Sequence, residues 1–249
     1  DALVTADRVT FFKYMVRTLA EEAGFRATFM PKPFASLTGS GCHAHLSLHD
    51  AATGENVCGG GGVSEHGLSP PALSFLSGLL EHAPSLTALT NPAVNSYKRL
   101  NARSTSSGAT WSPPAATWAG NNRSALIRVP SGAPRMELRL ADMAANPYLM
   151  AAAIAAAGID GLDKLSSPPP PADLNMYASS DPQVAAVLRE AKSLPRNLYE
   201  ALNTLEADKA LTAHLGEPFV ASFLNLRRAH WEEYAAHLSQ WELDTYLDT

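Results

Sequence analysis

Residues 38–48 read Thr-Gly-Ser-Gly-Cys-His-Ala-His-Leu-Ser-Leu, a glycine-rich turn running into strict two-residue alternation. Successive side chains of a strand point to opposite faces. His43, His45 and Ser47 therefore share one face, and Cys42, Ala44, Leu46 and Leu48 share the other. The second set suits a core. The first presents two imidazoles about 7 Å apart on a polar surface, which a core does not need and a metal and phosphate site does. Taken alone, a His-x-His strand is more simply an edge strand whose histidines face solvent.

A second segment shifts that balance. In Arg135-Met136-Glu137-Leu138-Arg139-Leu140 the same alternation sets Arg135, Glu137 and Arg139 on one face and Met136, Leu138 and Leu140 on the other. A carboxylate between two guanidiniums can be a surface ion-pair row of little energetic weight. It can also be an anion site in which Glu137 binds a metal while the arginines clamp phosphate or carboxylate. Between the two segments lie Asn95-Ser96-Tyr97-Lys98-Arg99-Leu100 and Asn121-Asn122-Arg123-Ser124-Ala125-Leu126-Ile127-Arg128-Val129-Pro130. In a chain only 17% charged, arginines so grouped exceed what solvation requires.

Composition narrows the classes. The 249 residues are 46% hydrophobic with a formal charge of −5, enough for one large domain with a stable core. A pI near 5.9 argues against a general nucleic-acid binder. Two cysteines, Cys42 and Cys58, make no disulfide framework and suit a reducing cytoplasm. No signal peptide is visible, and the apolar run 149–157 is too short to span a bilayer.

Along the chain, Thr5 or Asp7 can cap a helix with an apolar stripe of Val9, Phe12, Val16, Leu19 and Ala23, ended by Gly24. Residues 26–30 read as a strand entering the Pro31-Lys32-Pro33 loop. Gly59–Gly62 reads as a loop hinge rather than a phosphate cradle. Ser69-Pro70-Pro71 opens a helix with Leu73, Leu76 and Leu80 on one face, and Asn146-Pro147 opens an alanine-rich helix in which Gly158 and Gly161 permit close packing. Residues 101–121 form a long polar loop whose Trp111 and Trp118 are expected to pack on something. Pro168–Pro171 is a rigid spacer before helices near 182–193, 196–207 and 218–238, which are expected to pack back on the sheet.

Six runs in order carry a resemblance: Lys32-Pro33-Phe34, Gly39-Ser40-Gly41-x-His43-x-His45-x-Ser47, Asn95-Ser96-Tyr97-Lys98-Arg99-Leu100, Asn122-Arg123-Ser124, Arg135-x-Glu137-x-Arg139 and Asn146-Pro147-Tyr148. Together they resemble glutamine synthetase over roughly residues 8–165, with a weaker helical match to the C-terminus. Ser107-Gly108-Ala109-Thr110-Trp111 and Gly120-Asn121-Asn122-Arg123 are most similar to the branch containing γ-glutamylmethylamide synthetase.

The resemblance implies an α+β fold: an antiparallel sheet lining the active site, helices packed on its outer face, and a helical C-terminal region. It identifies residues 1–249 as the C-terminal portion of the catalytic domain, lacking the N-terminal β-grasp domain and the first catalytic strands with their further metal carboxylates. It implies an ATP-dependent ligase that joins glutamate to ammonium or a small alkylamine through γ-glutamyl phosphate, using Mg²⁺ or Mn²⁺. His43 and Glu137 match ligands of the metal that bridges the nucleotide phosphates. His45 and Ser47 match nucleotide contacts, and Arg123, Arg128 and Arg135 match phosphate-binding arginines. Gly39 and Arg99 match contacts to glutamate, while Arg139, with Arg123, matches the catalytic arginines near the reacting carboxyl and phosphoryl groups. The whole protein is expected to be a cytoplasmic, ring-shaped, dodecamer-like homo-oligomer with no nucleic-acid or membrane partner.

Two departures bear on substrate. Thr38 stands where glutamine synthetases commonly carry a substrate-contacting asparagine. Residues 101–122 contain no acidic residue, whereas those enzymes have a loop glutamate that helps deprotonate ammonium. The loss favours an alkylamine, with Trp111 or Trp118 as an apolar wall. Tyr177 lies near the position of a regulatory adenylylated tyrosine in some bacterial members, but its flanks differ and no modification is expected. Two other readings remain: a zinc hydrolase, for which His49, His66 and His82 offer no third ligand in motif context, and a non-enzymatic relative, which would be expected to have lost ligands that are intact here.

Overall fold

Helix starts follow from a polar residue set before proline. The Ser69, Asn146 and Asp181 side chains accept backbone N–H bonds at the first turns of α2 (Pro70–Glu81), α5 (Pro147–Asp163) and α6 (Pro182–Glu190). The computed structural model describes residues 1–60, 66–102, 105–106, 110–132 and 134–249. Its other elements are α1 (Ala2–Glu22), β1 (Ala44–Leu46), α3 (Ala83–Thr90), α4 (Val94–Leu100), β2 (Trp118–Ala119), β3 (Ile127–Arg128), β4 (Met136–Leu138), α7 (Leu198–Ala207), α8 (Lys209–Leu215), α9 (Glu217–Ala236) and α10 (Gln240–Tyr246). The expected hinge residues Gly61 and Gly62, and the loop residues Ser107, Gly108 and Ala109, lie outside the described residues.

The sheet runs β1-β4-β3-β2. Antiparallel pairing sets Ala44 against Leu138, His45 against Glu137 and Leu46 against Met136, so apolar meets apolar on one face and polar meets polar on the other. β3 continues the pattern, with Ile127 opposite Leu138 and Arg128 opposite Glu137. β2 departs from the all-antiparallel expectation, since it lies parallel to β3 after the chain loops back through residues 120–126. Met136, Leu138 and Ile127 are fully buried in one core with Leu76, Leu79, Leu86 and Ala157. The α+β reading holds.

α2 and α5 cross at glycines. A Cβ on Gly78 would lie 2.1 Å from the Ala157 carbonyl oxygen, and one on Gly158 would overlap the Phe75 ring at 2.0 Å. Leu198, Leu202, Leu205, Leu211, Val220 and Phe223 join the same core, so the helices after the proline run do pack back. No helix of the described residues is long and apolar enough to cross a membrane.

Three local expectations fail. Asp1, not Thr5 or Asp7, caps α1, its carboxylate accepting from Leu3 N–H at 2.8 Å, while Asp7 accepts from the Tyr148 hydroxyl at 2.6 Å. The α1 stripe is not core: only Ala6 is buried, and Phe12 and Leu19 are exposed, because α5 covers one edge of the helix alone. Residues 26–30 form no strand, since no described neighbour offers them a ladder of backbone partners.

A charged staple joins the helices. His82, 3% exposed between α2 and α3, meets Asp208 through Nδ1 (2.7 Å) and Asp160 through Nε2 (2.9 Å). Lys164 Nζ reaches Asp160 at 2.6 Å, and His214 stands 3.7 Å from it. Burial opposes charge on His82, but its bonds to Asp208 and Asp160 outweigh that and raise its pKa above 6.5. Burial likewise works against ionising both carboxylates, yet Lys164 and His82 lower Asp160, and His82 and Ser85 lower Asp208. The raised histidine stabilises fully below pH 6.5 and loses its contribution as pH rises through its folded pKa. The lowered carboxylates act above 3.8 and fail as pH falls through theirs. Urea unfolding across pH 6–9 should therefore show stability declining on the alkaline side, with a smaller decline in His82→Gln; parallel curves would exclude the staple as its source.

Candidate active site

Glu137 is 3% exposed at the middle of β4, where pairing sets His45 of β1 and Arg128 of β3 on either side. Its Oε2 accepts from Arg128 Nη1 and its Oε1 from Arg139 Nη1, each at 2.6 Å. His43 Nδ1 lies 3.1 Å from the same Oε1 and 3.3 Å from Arg139 Nη1, so the tautomer decides which contact is the bond. Burial works to raise the Glu137 pKa, but the bond from Arg128 and the charge of Arg139 win and lower it. Burial, then Arg139 and Arg99, push His43 down to about 4. The imidazole is neutral at pH 7 and able to act as a ligand.

Arg99, on α4, is 3% exposed and donates to Leu140 O (3.0 Å) and Arg139 O (3.4 Å). The turn ahead of β1 is its seat. A Cβ on Gly39 would stand 2.5 Å from the Pro31 carbonyl and 3.0 Å from Arg99 Cγ, and one on Gly41 would stand 2.9 Å from Arg99 Nη2. Behind it lies Asp142, fully buried, accepting from Asn91 Nδ2 (2.9 Å) and Ala144 N–H (3.0 Å). The motifs also hold each other: Asn95 Oδ1 accepts from Lys32 N–H at 2.7 Å and Asn95 Nδ2 donates to Lys32 O at 3.0 Å. Sequence reading passed over Asp142 and Asn91, which follow no alternation and sit outside the catalytic roles the motifs suggest.

The predicted nucleotide contacts lie on the open side of the sheet. His45 and Ser47 are exposed, and Arg135 Nε donates to His45 Nδ1 at 3.2 Å. Arg123 sits on the turn before β3 and lines a cleft of about 790 Å³ with Trp111, Asn121 and Tyr177. Asn121, given no role by the sequence, accepts from Arg128 Nε (3.0 Å) and Nη2 (2.5 Å). Trp118 is not a wall of this cleft: it is 4% exposed, edge-on to His66, and donates to Pro169 O at 2.6 Å. A larger cleft of about 1050 Å³, between α1 and residues 25–31, contains none of the predicted site residues.

A divalent ion fits this arrangement only in part. Among the described residues no three His, Cys, Asp or Glu side chains converge on one point. His43 and Glu137 offer a neutral nitrogen and an ionised carboxylate within 3.1 Å of each other, two donors of the type such an ion takes. The remaining ligands would come from phosphate oxygens, water or residues outside this chain. Glu137→Gln leaves the buried Arg139 and the half-buried Arg128 without their counter-ion. It should cost about 3 kcal/mol in urea unfolding at pH 7, and an unchanged midpoint would show that the guanidiniums do not depend on that charge.

Residues 1–246 match the family described as glutamine synthetase, catalytic domain. A glutamine synthetase of Rhizobium leguminosarum bv. phaseoli is 48% identical over all of this chain and 55% of its own length. A glutamate–methylamine ligase of Methyloversatilis universalis is 44% identical over 100% of this chain and 55% of its own length. A solved structure of GmaS in complex with ADP superimposes with a TM-score of 0.89 at 53% identity, covering 100% of this chain and 55% of that one. The chain thus spans about half the length of the relatives it matches.

Proposed function

The chain belongs to the glutamine synthetase family, and from that premise we propose that its parent protein is an ATP-dependent ligase joining the γ-carboxylate of glutamate to a small alkylamine. The observation that carries the reading is the cluster of buried Glu137, Arg139 and Arg99 with the half-buried Arg128, in which, among the described residues, Arg139 Nε is buried without a hydrogen-bond partner. An unpaired guanidinium nitrogen in a buried position is costly unless a ligand meets it.

The reaction assigned to these groups has two steps. A γ-carboxylate oxygen of glutamate attacks the terminal phosphorus of ATP, and ADP leaves. The amine nitrogen then attacks the acyl carbon, inorganic phosphate leaves, and the nitrogen loses a proton. Arg99 holds the α-carboxylate against the backbone of Gly39. Arg139 neutralises charge on the transferring phosphoryl, while Arg123, Arg128 and Arg135 with His45 and Ser47 orient the nucleotide. His43 and Glu137 would hold Mg²⁺ or Mn²⁺, which would add neutralisation of phosphate charge. The free cysteines Cys42 and Cys58 suit a cytoplasmic enzyme.

The amine follows from the loop. Residues 101–122 lack any carboxylate to attract or deprotonate ammonium, and Trp111 is 41% exposed at the cleft. ADP release by the full-length protein with glutamate, ATP and a panel of amines should show methylamine or a comparable alkylamine preferred over ammonium in kcat/KM. Trp111→Ala should narrow that preference, by up to about 1–3 kcal/mol for each methyl or methylene that no longer rests on the indole. A glutamate installed within residues 103–107 should shift activity toward ammonium. Turnover of ammonium alone would return the reading to plain glutamine synthetase.

The parent protein is further inferred to assemble as a ring-shaped, dodecamer-like homo-oligomer. Size-exclusion chromatography with light scattering at micromolar concentration should report a large oligomer, and a monomer would count against ring assembly.

A further inference from the structure

The segment after the proline run is stitched to the turn that precedes β3. Ala172 N–H donates to Trp118 O at 2.7 Å, Asn122 Nδ2 to Leu174 O at 2.6 Å, and Met176 N–H to Ser124 Oγ at 3.0 Å. Met176 is 1% exposed, packed with Ala172 and Val184. Asn122 and Ser124, the flanks of a motif arginine, therefore act as backbone anchors. The side chain they present beside that arginine is Tyr177.

Tyr177 lines the cleft with companions that include Trp111, Asn121 and Arg123. Burial raises the pKa of its hydroxyl, against the Thr110 side chain and the positive fields of Arg139 and Arg99, which reach it. The next residue after Thr110, Trp111, is held at φ 55°, in the left-handed region. A bulky side chain adopts that backbone only where its surroundings impose it.

We propose that Tyr177 is a specificity-determining residue for the amine, forming with Trp111 the two aromatic walls past which the amine reaches the acyl group held at Arg139. This rests on the ligase reading above. Arg123 lines this space and the fields of Arg99 and Arg139 reach it, while the one carboxylate on the same lining, Asp173, is engaged by His66 and the Gly120 N–H; the positive surplus favours the uncharged amine, which is the nucleophilic form. A methyl group gains apolar contact between the rings that ammonia cannot make.

The test is steady-state kinetics of the full-length protein as wild type, Tyr177→Ala and Tyr177→Phe, with methylamine and with ammonium. Tyr177→Ala should lower the methylamine-to-ammonium ratio of kcat/KM by about 10-fold, chiefly through the amine KM, with the KM values for glutamate and ATP changed less than about 2-fold. Tyr177→Phe retains the ring and should retain most of the ratio. A ratio unchanged in Tyr177→Ala overturns the inference, as does a Phe variant that collapses it equally or an Ala variant whose glutamate KM rises as much as its amine KM. In each of those cases the ligase reading stands. A wild type that releases no ADP with glutamate and any amine overturns the ligase reading, and the inference with it.

Discussion

The buried carboxylate of Glu137 organises the site. An ionised carboxylate out of water is strongly unfavourable unless fully paired, and here Arg128 and Arg139 each approach to 2.6 Å from neighbouring positions of the sheet. Once that carboxylate is fixed, much else follows. The guanidiniums have a defined place, and the polar face of β4 cannot turn toward the core; burial, with Arg139 and Arg99, keeps the imidazole of His43 neutral against the pull of Glu137. A one-residue register slip would bury Arg139 and Arg135 among leucines and expose Met136 and Leu138. The charge cluster and the apolar face thus specify the same register.

This double specification is why the sheet was legible in the sequence. Alternation assigned the paired residues 44–46 and 136–138 to their observed faces, and polar residues before proline mark the starts of α2, α5 and α6. Illegible features depend on distant partners. Residues 26–30 have strand-like composition but no backbone to pair with, and the α1 stripe has helical spacing but little to cover it. Trp118 and Trp111 carry the same side chain seven residues apart, yet one is core and the other lines the cleft. Neither spacing nor residue type distinguishes them. The Pro169 carbonyl does, and it arrives from fifty-one residues downstream.

Many motif residues turn out to hold one another. Lys32 and Asn95 exchange bonds, Gly39 and Gly41 make room for Arg99, and Asn122 and Ser124 fasten the segment bearing Tyr177. Read from sequence, such residues are easily assigned to ligands because they adjoin the arginines. Their geometry assigns them to pre-organisation: fixing a guanidinium before the substrate arrives avoids reorganisation when charge develops.

The residual charge of each buried cluster separates a binding site from a structural staple. Around His82, two carboxylates face Lys164 and, when it is protonated, the imidazolium, so the charges balance and nothing is left to attract a ligand. Around Glu137, three guanidiniums (Arg99, Arg128 and Arg139) face one carboxylate, or two when Asp142 is included, and the nearby histidine is held neutral. The fold keeps this positive surplus despite the cost of burying it. Anions entering the site would offset such a surplus, and the proposed phosphoryl group beside a carboxylate would supply them. On the proposed function the folding cost of the arginines is set against binding rather than against the core, and Arg139 Nε, buried without a partner among the described residues, is where that balance stands open.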